Sequence, residues 1–142
     1  MAQIVFYTKL GCATAAKQID LLQQAGHTVD VRDLLAHDWT EEELLSYFGT
    51  LPVVEWFNVK SPRVRDGEIE PAAYAADGAL ALMLADHLLI HRPLMEAAGE
   101  RRCGFDPEAI HGWIGLGETV YRQNASQDFN SCSQTSPHET CP

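Results

Sequence analysis

The chain has 142 residues, 46% apolar and 21% charged, which suffices for one domain with a core and is too short for two. Twenty acidic residues against ten basic ones give a formal net charge of −10, a surface that repels phosphate backbones and argues against nucleic-acid binding. The longest apolar stretch, Ala79 to Ile90, is broken by Asp86 and His87 and is too short for a bilayer; with no basic-then-apolar leader at the start, the expected location is the cytoplasm.

A strand-type run, Ile4 to Tyr7, comes first. After a short loop the pattern predicts a helix over about 12–25, with Ala15, Ala16, Ile19 and Leu22 inward and Lys17, Asp20, Gln23 and Gln24 outward. Gly26 suits a left-handed cap for it. Cys12 therefore stands at a helix N-terminus, where unpaired N–H groups and the helix dipole favour the thiolate, the reactive form of cysteine. Val29, Val31 and Leu34 alternate with Asp30, Arg32 and Asp33, a second strand that completes a βαβ unit.

Thr40 and Glu43 have the spacing of a capping box, with Trp39 and Leu44 as the hydrophobic staple of a helix ending near Phe48-Gly49. Residues 51–66 are loop-like, yet Trp56 and Phe57 require that they pack. Pro71 suits the first turn of a third helix, and Asp77 caps a fourth that presents Leu80, Met83, Leu84 and Leu88. Beyond Arg92-Pro93 a hairpin is expected: Leu94 to Glu96, a turn near Gly99, then Arg101 to Gly104. Asp106-Pro107-Glu108 opens a final helix carrying Ile110, Trp113 and Ile114. From Gly117 the composition shifts toward Ser, Gln, Asn and Thr. The domain is thus expected over 1–116, with a disordered or loosely packed tail over 117–142.

The order β-α-β, helices, β-β-α predicts an α/β, thioredoxin-like three-layer fold with a helical insertion between the N-terminal βαβ and C-terminal ββα units. Over residues 3 to 115 the chain resembles the arsenate reductase/Spx family. The resemblance rests on Phe6-Tyr7 with Gly11-Cys12, Leu21-Leu22 to Ala25-Gly26, Trp56-Phe57-Asn58, Ile90-His91-Arg92-Pro93, and Gly104-Phe105 with Glu108. Val31 to Leu35, Ala79 to Asp86, and Arg101-Arg102 with Gly104 to Pro107 resemble its nitrogenase-associated branch. The resemblance implies that Cys12 is the nucleophile and that Pro93 follows a cis bond beside the Cys12 loop. It also implies that Arg92 points at the sulfur as an anion ligand. Lys9 joins Arg92 as a thiolate-stabilising cation, and Gly11, Thr14, Asn58 and Pro93 are structural positions of the site.

The departures from that family are as informative. Thr8 stands where its arsenate reductases usually have His, Ala15 and Ala16 where they have Ser-Arg, and Asn58 and Gly104 where arginines are expected. Arg92 alone of those arginines stays in register, a thin site for a doubly charged arsenate, although Arg63, Arg65, Arg101 or Arg102 could substitute. The Spx-type Cys-x-x-Cys is absent because position 15 is Ala. A disulfide at Cys12 would need glutathione, another protein, or a distant cysteine: Cys132 and Cys141 in the tail, or Cys103, read as a buried inert thiol. Cys132, His138 and Cys141 lack a fourth ligand for a metal. His91 is the histidine nearest the thiol in this reading, while His37 and His111 read as surface residues.

Two functions remain open. One is a thiol-redox enzyme, with glutathione as co-substrate, glutaredoxin as the restoring partner and no bound cofactor. The other is a non-catalytic module for nitrogenase or its accessory proteins. No membrane partner is expected.

Overall fold

Alternation along the first strand divides the molecule. In the computed structural model, which describes residues 2–124 and residue 129, β1 is Gln3–Thr8. Its Ile4 and Phe6 enter one buried apolar cluster, while Tyr7 enters another with Val5 packed against it, as the two-residue repeat of a strand requires. Helix α1 (Ala13–Gln24) returns the chain to β2 (Thr28–Asp33), which pairs parallel to β1 with Ile4 opposite Val29. β3 (Leu94–Ala97) runs antiparallel along the other side of β1, and β4 (Glu100–Cys103) follows it through a hairpin at Ala98-Gly99. The sheet order is β2-β1-β3-β4.

Helices cover both faces. The Tyr7 side is closed by α2 (Glu41–Phe48) and α4 (Ala76–Ala85), through Leu44, Phe48, Leu80 and Met83. The Phe6 side is closed by α1 and α5 (Pro107–Trp113), through Leu21, Leu22 and Ile110. This is the expected three-layer arrangement, with the helical segment between β2 and β3 as the insertion.

Local signals account for most boundaries. Thr40 Oγ1 accepts the Glu43 N–H at 3.2 Å and Asp106 Oδ1 accepts the Glu108 N–H at 3.1 Å, so both expected caps form. The Glu43 carboxylate bonds His37 at 2.9 Å, which takes His37 out of the class of simple surface residues. Trp56, Phe57 and Asn58 are buried, so the segment after α2 packs as the aromatics demand; its only α-helical turn is α3 (Pro62–Arg65).

Four expectations need correction. Gln18 is buried on α1 whereas Ala16 is exposed, because Gln18 Nε2 donates to the Phe129 carbonyl at 2.6 Å and so spends its polarity inside. Pro71–Ala73 is a single 3₁₀ turn, closed by Ala73 N–H to Glu70 O at 2.9 Å. Asp77 lies within the first turn of α4, whose N-cap is Ala75. Finally, Leu116 is fully buried and a further helix, α6 (Glu118–Asn124), follows it. Val120 and Tyr121 pack that helix onto the Phe6-side cluster, and Tyr121 stacks on His111 at 4.3 Å. Composition alone had placed these residues in the tail.

Candidate active site

The sheet register places the groups around Cys12. Leu94 pairs with Tyr7, so the two residues before β3, Arg92 and Pro93, stand at the end of β1 where Thr8 and Lys9 lead into the cysteine loop. The Arg92–Pro93 bond is cis, as expected. Pro93 is buried and its carbonyl accepts the Gly104 N–H at 2.9 Å, tying this turn to the end of β4. Gly11 has φ +82, a left-handed conformation that favours glycine, and it turns the loop into the helix. Cys12 is the N-cap of α1: its backbone is extended and its carbonyl accepts the Ala16 N–H at 3.1 Å.

A cavity of about 300 Å³ opens in front of Cys12. Thr14 and Gln18 of α1, Asn58, Lys60, His91 and Arg92 share it with the cysteine. Lys9 and Gly11 line a second, shallower depression on the other side of Cys12. Of the predicted residues, Thr14, Asn58 and Arg92 thus share one opening with Cys12, Lys9 and Gly11 share the other, and Pro93 lines neither. Asn58 serves as a structural knot. Its Nδ2 donates to Leu88 O at 3.2 Å and its Oδ1 accepts the Lys60 N–H at 3.1 Å, so it fixes the loop that carries Lys60.

The electrostatics oppose those of the molecule as a whole. Arg92 Nη1 is buried with no hydrogen-bond partner among the described residues, and burial lowers the Arg92 pKa to about 10. The Lys9 pKa is lowered first by burial and then by the charge of Arg92, which shows that the two cations share one field. A chain of net charge −10 thus concentrates Lys9, Lys60 and Arg92 around a single sulfur, with Glu55 as the acid in the cavity wall. A guanidinium at such a position suits an anion.

The arginines offered as substitutes lie elsewhere. Arg63 pairs with Glu68 and Asp86 at 2.6 and 3.1 Å. Arg101 pairs with Glu96 at 3.0 Å and lies over Tyr47; Arg102 pairs with Glu100 at 2.9 Å and lies over Trp113. Neither these nor Arg65 lines the Cys12 cavity. His91 does line it, yet its Nδ1 is held by the Glu55 carbonyl at 2.7 Å.

Cys12 is 6% exposed and is disulfide-bonded, while Cys103 is free. Cys103, expected in the core, is half-buried; it donates to the His91 carbonyl at 3.6 Å, and desolvation of its sulfur, with Glu55 nearby, raises the thiol far above the usual range. Cys132, His138 and Cys141, weighed as a metal site, lie outside the described residues; among those described, no group of three metal-binding side chains occurs. Sequence reasoning missed Gln18 and Lys60. The burial of Gln18 had no periodic signal, and Lys60 depends on the Asn58 knot. Among the described residues no helix is long and apolar enough to cross a membrane.

Solved structures share this architecture. An ArsC-family-related protein from Bacteroides fragilis superposes with TM-score 0.67 at 23% identity, covering 81% of this chain and 99% of the other. The arsenate reductase from Vibrio cholerae superposes with TM-score 0.63 at 23% identity, covering 78% and 96%. No family model matches the chain. A 15.7 kDa protein of the draG 3′ region of Rhodospirillum rubrum is 46% identical over 116 residues, 82% of this chain and 81% of that protein. The chain belongs to the family of that Rhodospirillum protein. On its arsenate-reductase fold the nucleophile position, the cis-proline and one arginine are present, while Ala15, Ala16, Asn58 and Gly104 occupy the places where the sequence comparison expected more polar or basic groups.

Proposed function

We propose that this protein is a thiol-disulfide oxidoreductase whose Cys12 reacts with an anionic disulfide or oxidised thiol, with glutathione as the small co-substrate. The reading rests on one observation above all: Arg92, whose buried Nη1 has no hydrogen-bond partner among the described residues, lines the same cavity as the cysteine at the N-cap of α1. A guanidinium and a helix N-terminus stabilise a thiolate, and the same groups hold a carboxylate or another sulfur-borne anion of the incoming molecule. In the reduced protein the Cys12 thiolate attacks one sulfur of the disulfide, a mixed disulfide forms, and the other sulfur leaves as a thiolate. A glutaredoxin-type dithiol restores Cys12. With a single arginine facing the cavity, arsenate is the weaker substrate.

The draG 3′ region of the relative supports a setting in nitrogen fixation. It also keeps a second reading in view, a docking module for nitrogenase or its accessory proteins. One observation favours that alternative. Leu10, Val31, Val54 and Val59 are 55%, 39%, 44% and 61% exposed, and all four lie on the walls of the two openings around Cys12. An apolar rim around a basic centre suits a protein surface as well as a small thiol.

The pH dependence of Cys12 alkylation in the reduced protein, assigned by peptide mass spectrometry, separates the readings. Reactive chemistry predicts a midpoint below the roughly 8.5 of an ordinary thiol, moving back up in Arg92→Met. An unshifted midpoint in both proteins would leave docking as the function. Partner capture that persists in Cys12→Ser would show that the thiol does not hold the partner.

A further inference from the structure

A larger groove, about 580 Å³, adjoins the Cys12 cavity, and His91 and Glu55 line both. It runs beside β4, an edge strand of the sheet, between Tyr47 and Phe48 at the end of α2 and Ile110 and Trp113 of α5. The strand register fixes which backbone groups border it. The Gly104 N–H bonds the Pro93 carbonyl, and groups that face β3 in this way recur at every second residue. Arg102 and Glu100 therefore turn their N–H and C=O groups toward β3. Arg101 and Cys103 turn theirs outward, and among the described residues no backbone group pairs with them.

The side chains of the groove are arranged on both faces of that edge. Arg101 Cζ lies 5.2 Å from the Tyr47 ring centre, on the Tyr7 side of the sheet, and Arg102 Cζ lies 4.6 Å from that of Trp113, on the Phe6 side. Their ion pairs with Glu96 and Glu100 are exposed, so those carboxylates hold them weakly. Trp113 Nε1 is buried with no hydrogen-bond partner among the described residues. The other two indoles differ: Trp39 donates to the Leu34 carbonyl at 2.8 Å and Trp56 to the Leu51 carbonyl at 2.9 Å. An unused indole N–H in a groove wall suits an incoming acceptor.

We propose that β4 is a docking edge that takes an extended segment of another protein as a fifth strand, and that this segment carries two adjacent carboxylates. The outward groups of Arg101 and Cys103 supply the ladder, and the walls of the groove receive the side chains. Consecutive residues of a strand point to opposite faces, as Arg101 and Arg102 do, so two adjacent acids stand opposite the two arginines. Opposite charges in such cross-strand positions stabilise, and like charges destabilise. The same rule disfavours a second copy of this chain. Antiparallel pairing of two β4 edges through Arg101 and Cys103 sets Arg102 against its counterpart. The net charge of −10 does not override these near neighbours, because physiological salt screens beyond about 8 Å. The shared His91 and Glu55 wall puts a docked segment beside the Cys12 opening. Docking here does not depend on turnover at Cys12.

The test is a titration of the full chain with a short synthetic peptide of valine and threonine around two central glutamates, followed by amide hydrogen exchange and by NMR of the indole N–H groups. Saturable binding is expected, with new protection of the Arg101 and Cys103 amides and little change at Glu100 and Arg102, which already face β3. The Trp113 indole resonance is expected to move while those of Trp39 and Trp56 stay. Arg101→Gln and Arg102→Gln should each weaken binding about three- to fivefold, and lysines in place of the two glutamates should weaken it about tenfold. Those two variants should leave the Cys12 alkylation midpoint where it is, which keeps this outcome separate from that of the redox reading. No saturable binding up to about 1 mM peptide, protection of other amides instead, or equal binding of the lysine peptide would overturn the proposal. So would a concentration-dependent dimer of the protein alone that protects the Arg101 and Cys103 amides, since the edge would then belong to a second copy.

Discussion

Arg92 lines the Cys12 cavity and burdens the fold. Its pKa in the folded protein, about 10, lies below the ordinary arginine value, so the folded state binds that proton less tightly than the unfolded chain does. The burden is therefore full below about pH 10 and is relieved only as the pH rises above it. Arg92→Met is expected to raise the melting temperature at neutral pH by a few degrees while slowing Cys12. A lower melting temperature would mean that Arg92 is paired in solution. The contrasting residue is Cys103, whose buried thiol should resist iodoacetamide in the native protein up to the most alkaline pH that keeps it folded. Labelling of Cys103 at neutral pH would contradict its assignment as inert. His27 shows what a single letter hides. Its Nδ1 accepts the Ala2 N–H at 2.9 Å and its Nε2–H donates to the Gly115 carbonyl at 2.6 Å, so an imidazole that reads as a turn residue joins the two ends of the domain.

At the scale of elements, helices with explicit caps were the most legible. Thr40 and Asp106 act as written, and Thr40→Ala should cost about 1 kcal/mol in denaturant unfolding with unchanged m-value, since only one side-chain acceptor is lost. A change below a few tenths would show that solvent replaces the cap. The weaker signals failed where a tertiary contact outweighed local preference. Gln18 is buried because a carbonyl from far along the chain meets it, and α6 forms where composition suggested a tail because Tyr121 finds His111 to stack on. No local pattern contains either partner. The βαβ unit and the hairpin were legible because alternation along β1, β2 and the β3–β4 pair needs only neighbours in sequence.

For the whole molecule, one sheet serves two apolar clusters, with Phe6 on one face and Tyr7 on the other. Both tryptophans of the buried core, Trp39 and Trp56, lie on the Tyr7 side. In a Trp113→Phe background, which leaves Trp39 and Trp56 as reporters of the Tyr7 side, Phe6→Ala should cost about 3–5 kcal/mol and shift the tryptophan-fluorescence and far-UV transitions together, although the deleted ring is on the opposite face. Two separated transitions would show that the layers unfold independently. The sequence by itself determined the fold class, the βαβ and hairpin units and the place of Cys12 at the start of α1, because periodicity, caps and a cysteine before a helix are local properties. Tertiary structure decided which cations line the openings at Cys12: Lys9, Lys60 and Arg92 do, whereas Arg63, Arg101 and Arg102 lie elsewhere. It also decided that Gln18 is buried, because Phe129 returns to the helix that Cys12 caps. Such choices depend on contacts between residues far apart in the chain, and only closure of the fold brings those residues together.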